Sequence, residues 1–276
     1  MPLFSRHDGK LVEDVPRTRA IMPFIMETTG ESVVFFEQEL DLSLTLPWLK
    51  ETGERLGHRL SLFPLLMLAI SETLHERPRL NRFVSGQRLY QRDEVQISFA
   101  AKKSLDDDHP FSTVKRTFPQ GQSISEAVTL LRGDIRAARG SELSPIDKEL
   151  RIFLALPRPL LAMATRLLKW LDFHNMAPAA LLANDPMYCS VFVANLGSVK
   201  LDAAYHHLYE YGNCPLFCVV GKTHQALRVV DGAPVVRDIA VLKWTLDERV
   251  EDGLYCTSSL ELLRERMENP ASWLAP

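Results

Sequence analysis

The chain of 276 residues carries a formal net charge of −3, with 46% hydrophobic and 24% charged residues. That is the balance of an ordinary soluble globular protein, long enough for one large domain or two small ones, and it gives no reason to expect a nucleic-acid partner. No uninterrupted apolar run approaches the length of about 18 residues that a spanning helix needs. The opening MPLFSRHDGK is charged and has no apolar core segment, so no secretory signal is read and a cytoplasmic location is expected.

In chain order, residues 1–15 are polar and are expected to form a loosely ordered extension. Arg19 to Glu27 reads as a short helix bent at Pro23. Ser32 to Leu42 has the β-branched and aromatic content of a strand. Leu46 to Leu56 reads as a helix. SLFPLLMLAISETLHERP, from Ser61, predicts a long core helix closed by Pro78. RLYQRDEVQISFAA, from Arg88 to Ala101, reads as two strand pieces, and Asp106, Asp107 and Asp108 as a solvated loop. Phe111 to Phe118 predicts a strand. Ser123 to Gly140 predicts a helix, with Ser123 and Glu126 at capping-box spacing.

Residues 145–183 stand apart, because the run is highly apolar but broken by Pro157 and Pro159 and punctuated by Arg151, Arg158, Arg166 and Lys169. Two amphipathic helices joined at PRP fit this pattern. Basic residues beside Leu, Phe and Trp also allow peripheral membrane contact through residues 150–173. Packing against this chain or a sister subunit is the preferred reading. Beyond the insertion strands dominate: CSVFVANLG, LFCVVGK, ALRVVDGAPVVRD with a turn at DGAP, and IAVLKWTLD, followed by a helix over Glu261 to Glu268. The mixture predicts one α+β domain over residues 16–276, with a mixed or antiparallel sheet covered by helices.

The four cysteines, Cys189, Cys214, Cys218 and Cys256, are expected to be reduced, and no metal site is read from them. Phosphate-binding, nucleophile-elbow and zinc-protease motifs are absent.

A set of landmarks remains, in the order RAI, ELDL, a long apolar helix, RPRLNRF, RLYQRDEVQISFAA, VANLGSV, CPLFCVVGK, TLDERVEDG and MENP. From about Arg17 to Pro270 their order and spacing resemble the catalytic domain of the 2-oxoacid dehydrogenase acyltransferases, related in fold to chloramphenicol acetyltransferase. The resemblance implies that chloramphenicol acetyltransferase-like fold, with the insertion at about 145–183 as an added helical hairpin. It implies a homotrimer whose sites lie in channels between subunits. It implies acyl-CoA as a candidate substrate and no tightly bound cofactor. The lipoyl and subunit-binding domains that precede this domain in dehydrogenase complexes are not expected here.

Two departures fall on the chemistry. The family motif D-H-R-x-x-D-G here reads Asp247, Glu248, Arg249, Val250, Glu251, Asp252, Gly253, so Glu248 stands where the family has its proton-accepting histidine. The family's S-N-L-G reads Ala194, Asn195, Leu196, Gly197, which removes the hydroxyl that steadies the oxyanion; Ser198 follows but is expected to point elsewhere. Thiol at about 8.5 against glutamate at about 4.3 makes the ordinary proton transfer roughly 5–6 kcal/mol uphill. The lost hydroxyl could cost about 3 kcal/mol more. Glu248 is retained as a candidate base, with His206 and His207 as candidate substitutes. By resemblance, Asp252 pairs with an arginine from the start of the domain, Arg19 or else Arg17, while Asp247, Arg249 and Gly253 frame the loop. Two functions follow: an acyltransferase with a reworked site, or a catalytically inactive trimeric scaffold.

Overall fold

The computed structural model describes residues 5–102, 111–139 and 153–274. The elements run β1 Gly9–Leu11, α1 Arg17–Ala20, α2 Met22–Ile25, β2 Val33–Asp41, α3 Thr45–Arg55, α4 Leu62–Glu76, β3 Arg82–Ser85, β4 Arg88–Arg92, β5 Gln96–Lys102 and β6 Phe111–Thr117. They continue with α5 Ile124–Arg139, α6 Arg158–Phe173, α7 Ala179–Leu182, β7 Val191–Asn195, β8 Leu216–Val220, β9 His224–Val230, β10 Ala233–Asp247 and α8 Gly253–Glu268.

Side-chain alternation builds two unequal layers on one sheet. The main sheet has the order β2-β10-β8-β7-β5-β6, with β9 paired to the first half of β10. The β5–β7 and β7–β8 pairs are parallel and the others antiparallel, which makes the sheet mixed. Every second residue, such as Val191 and Val193, Leu216 and Cys218, and Leu242 and Trp244, points into a large core shared with α4, α5 and α8. α4 is apolar around most of its circumference and is buried from Pro64 to Ser71, as an all-round apolar helix must be. The opposite face carries a smaller cluster of Phe192, Phe217 and Val219, covered by Ala203 and Leu208 from the irregular segment 201–211.

Several expectations are corrected. VVRD and IAVLKWTLD are one 15-residue strand, β10, because pairing with β9 and then β2 continues without a break. The DGAP turn is a two-residue hairpin in which Asp231 (φ 51°) and Gly232 (φ 80°) both take left-handed conformations. The last helix begins at Gly253 instead of Glu261. β3, which begins at the last two residues of RPRLNRF, was not expected; it completes a three-stranded sheet β1-β4-β3. Of the expected helical hairpin the second arm, α6, falls on described residues, whereas the first arm is described only from residue 153 and the Asp106–Asp108 loop lies outside them. The capping box at Ser123 forms, with the Ser123 N–H donating to Glu126 Oε2 (2.9 Å) and the Glu126 N–H donating to Ser123 Oγ (3.2 Å).

Among the described residues of the expected extension, Arg6 to Leu11 are anchored to the fold. Arg6 is buried and donates to Asp8 (2.8 Å), Ser85 Oγ (2.8 Å) and Asp172 (2.9 Å), which ties β1 and β3 to the end of α6. Burial alone would raise the Asp8 carboxyl, but Arg6, with help from Arg92 and Asn213, overrides this and holds it down at about 2. Asp8 therefore stabilises the fold fully above about pH 4, its unfolded range, and the contribution is lost as pH falls towards 2. Asp172, raised by burial, contributes in the opposite direction. Urea unfolding of wild type should weaken by on the order of 2 kcal/mol more across that window than unfolding of Asp8→Asn.

Candidate functional site

The loop after β10 is rigid around an exposed carboxylate. Asp247 accepts from the Arg249 N–H (3.0 Å), Nε (2.9 Å) and Nη2 (2.7 Å). Arg249 also donates to Met26 O (3.3 Å) and Thr29 Oγ1 (3.3 Å). The Glu248 backbone is held on both sides: its N–H donates to Ser32 O (2.8 Å), and its carbonyl accepts from Arg19 Nη1 (2.6 Å). The Glu248 side chain itself is exposed. No hydrogen bond joins it to His206, His207 or any other described residue.

The pairing of Arg19 with Asp252 is corrected. Asp252 caps α8, its Oδ1 accepting from the Tyr255 N–H (2.9 Å), and this bond holds its carboxyl below the usual range. Arg19 instead approaches Glu251 (3.9 Å), a buried carboxylate that also faces Arg79 (3.2 Å) and Arg82 (3.6 Å). Glu251 was missed because it occupies an x position of the motif; the clustering of arginines in RPRLNR and RAI was the available signal. Asp252→Ala is expected to lower stability by about 1 kcal/mol, the usual worth of an N-cap, in thermal melts.

The second motif lies at the carboxyl ends of β7 and β8, where neighbouring parallel strands commonly open a ligand crevice. Asn195 Oδ1 accepts from the Ser198 N–H (3.0 Å), and Ser198 Oγ turns back to donate to Asn195 O (2.7 Å), so that hydroxyl is already engaged. Ala194 packs into the small cluster on the covered face. Gly197 and Gly221 allow the strand ends to approach: a Cβ on Gly197 would lie 2.5 Å from Gly221 O. Beside them is a cavity of about 1030 Å³, walled by Asn195, Gly197 and Ser198 together with Lys50, His58 and Lys222. Lys222 was within the sequence's reach, since it ends the strand-like run LFCVVGK.

The two motif positions cannot meet within one protomer. Asn195 pairs with Val220, whereas Leu246 pairs with Leu216 at the other end of β8. At the rise of an extended strand, Glu248 is roughly 20 Å from the cavity end. His206 and His207 lie nearer the Glu248 end, because the His206 carbonyl accepts from the Thr245 hydroxyl. The His206 ring stacks on Phe217 (centroids 4.0 Å) and on His207 (4.7 Å). Its Nδ1 lies 2.7 Å from the His207 carbonyl, which can only accept, so Nδ1 carries a proton. Among the described residues no group of three or more His, Cys, Asp or Glu side chains forms a metal site. All four cysteines are free, and the Cys189 and Cys214 sulfurs are 3.3 Å apart.

This architecture is the acyltransferase catalytic-domain fold, of the kind shared by dihydrolipoamide acetyltransferase cores and chloramphenicol acetyltransferase. It is similar to a probable dihydrolipoamide acetyltransferase from Listeria monocytogenes, with a TM-score of 0.62 and 15% identity over 94% of this chain and 95% of that one. It is similar to the dihydrolipoamide acetyltransferase of Azotobacter vinelandii, with a TM-score of 0.62 and 19% identity over 95% and 93%. Chloramphenicol acetyltransferase matches with a TM-score of 0.58 and 13% identity over 95% and 98%. No family model and no curated protein matches the sequence.

Proposed function

We propose that the protein is an acyltransferase that binds an acyl-CoA thioester as a substrate in the cavity beside Asn195–Ser198, with Glu248 of a neighbouring protomer as the base. The observation that carries this reading is the separation of the two motif ends by roughly 20 Å, with a rigid carboxylate at one end and a cavity at the other. A homotrimer brings such ends together between subunits. The Azotobacter enzyme, whose structure addresses a serine, a histidine and an asparagine in the catalytic mechanism, has the latter two four residues apart. Glu248 and Asp252 have the same spacing.

In this scheme Lys50 and Lys222 attract the phosphates of the thioester. Glu248 takes the proton from the acceptor thiol or hydroxyl, which attacks the thioester carbonyl. The tetrahedral intermediate then expels the coenzyme A sulfur, which recovers the proton. The exposed Glu248 and the engaged Ser198 hydroxyl favour a second reading, a scaffold that keeps the fold without turnover. Calorimetric titration with acetyl-CoA, followed by an assay of thiol release, separates the two. Binding with release supports transfer, binding without release supports the scaffold, and absence of both removes the thioester reading.

A further inference from the structure

α6 is a 16-residue helix in which the single buried residue is Asp172, at the end pinned by Arg6. Gly86 meets the same end so closely that a Cβ there would lie 2.2 Å from Phe173 O. The helix is therefore fixed at its C-terminus, with one face of Leu161, Ala164, Leu168 and Leu171 half-buried and a neighbouring apolar face left exposed.

At about 100° per residue, Leu160, Met163, Leu167 and Trp170 fall within one arc of about 80°. They are 46%, 60%, 54% and 54% exposed. Leu154, at 68%, extends the apolar surface just before the helix. Arg158, Arg166 and Lys169 occupy an adjoining arc of about 80°. The one acidic side chain of the helix, Asp172, is already paired with Arg6, so every solvent-facing charge on α6 is positive although the whole chain is net −3. No helix of the described residues is long and apolar enough to cross a membrane.

We propose that α6 docks flat on an anionic lipid surface, with Leu160, Met163, Leu167 and Trp170 entering the acyl boundary and Arg158, Arg166 and Lys169 meeting headgroup phosphates. The pattern of Leu and Trp beside Lys and Arg, in a helix too short to span, is that of an interfacial helix. Charge favours this occupant: a basic rim beside an apolar stripe complements an anionic bilayer.

The test is co-sedimentation of the full chain with phosphatidylcholine vesicles, with and without phosphatidylglycerol. The protein is expected to pellet with the anionic vesicles and to show a blue shift of Trp170 emission that Trp170→Phe removes. Leu167→Glu/Trp170→Glu and, separately, Arg166→Glu/Lys169→Glu are each expected to weaken partition about tenfold or more. Failure of wild type to pellet with anionic vesicles overturns the proposal, as does wild-type partition by the apolar double variant. A fall in oligomeric mass of that variant in light scattering, with unchanged partition, would assign the stripe to a subunit contact instead.

Discussion

Glu248→Gln is expected to reduce acyl transfer by at least about 100-fold while acyl-CoA affinity changes by no more than about twofold. General base catalysis is commonly worth 10²- to 10⁴-fold, and glutamine preserves the size and polarity of the side chain while removing its ability to take a proton. Folding should be indifferent to the change, because the Glu248 side chain makes no hydrogen bond or ion pair among the described residues and only its backbone is held, by Ser32 and Arg19. An unchanged melt together with lost turnover is therefore the expected signature. His206→Asn provides the contrast: it removes a ring stacked on Phe217, so it is expected to lower stability first. Equal turnover in wild type and Glu248→Gln would remove the carboxylate from the chemistry.

The largest stability effect is expected from Glu251→Ala, a loss of about 3–5 kcal/mol in urea unfolding. Glu251 is 5% exposed and, among the described residues, forms the ion pairs of Arg19, Arg79 and Arg82. Burial already pulls the Arg82 guanidinium down, with Glu251 working against that pull. Removing Glu251 leaves three cationic groups crowded on the Tyr255 end of α8, where Arg79 also lies 4.0 Å from the Tyr255 ring. Because Arg19 also holds the Glu248 carbonyl, the same variant should lose whatever activity depends on the position of Glu248. A change below about 1 kcal/mol would mean that the arginines are held by other contacts.

The layers and most elements were legible because alternation and helical periodicity are local signals. β2, α3, α4, the β4 and β5 pair, and α5 with its capping box all follow from residues close together in sequence. The long β10 was divided in reading because DGAP and the Arg237–Asp238 step interrupt the apolar pattern; only pairing with β9 and β2 makes the strand continuous. β1 was missed for a related reason. Its order comes from Arg6 and Asp8 meeting Asp172 and Asn213, partners far along the chain that no local pattern displays. At the site, motif order located Glu248 and Asn195. The roles of their neighbours depended on three-dimensional choices: Asp252 became a helix cap, and its expected arginine went to Glu251 one residue earlier. The cavity wall from Lys50 and His58 could not be inferred, since it joins the end of α3 to the ends of two strands about 140 residues or more away.

The most direct measurement is release of free coenzyme A thiol when the purified full chain is mixed with a panel of acyl-CoA thioesters and small thiol or hydroxyl acceptors. Protein-dependent release that scales with enzyme concentration and disappears in Glu248→Gln is expected. Absence of release above the protein-free blank for every thioester, from a folded sample whose mass in light scattering is that of a trimer, would contradict the proposed acyl transfer.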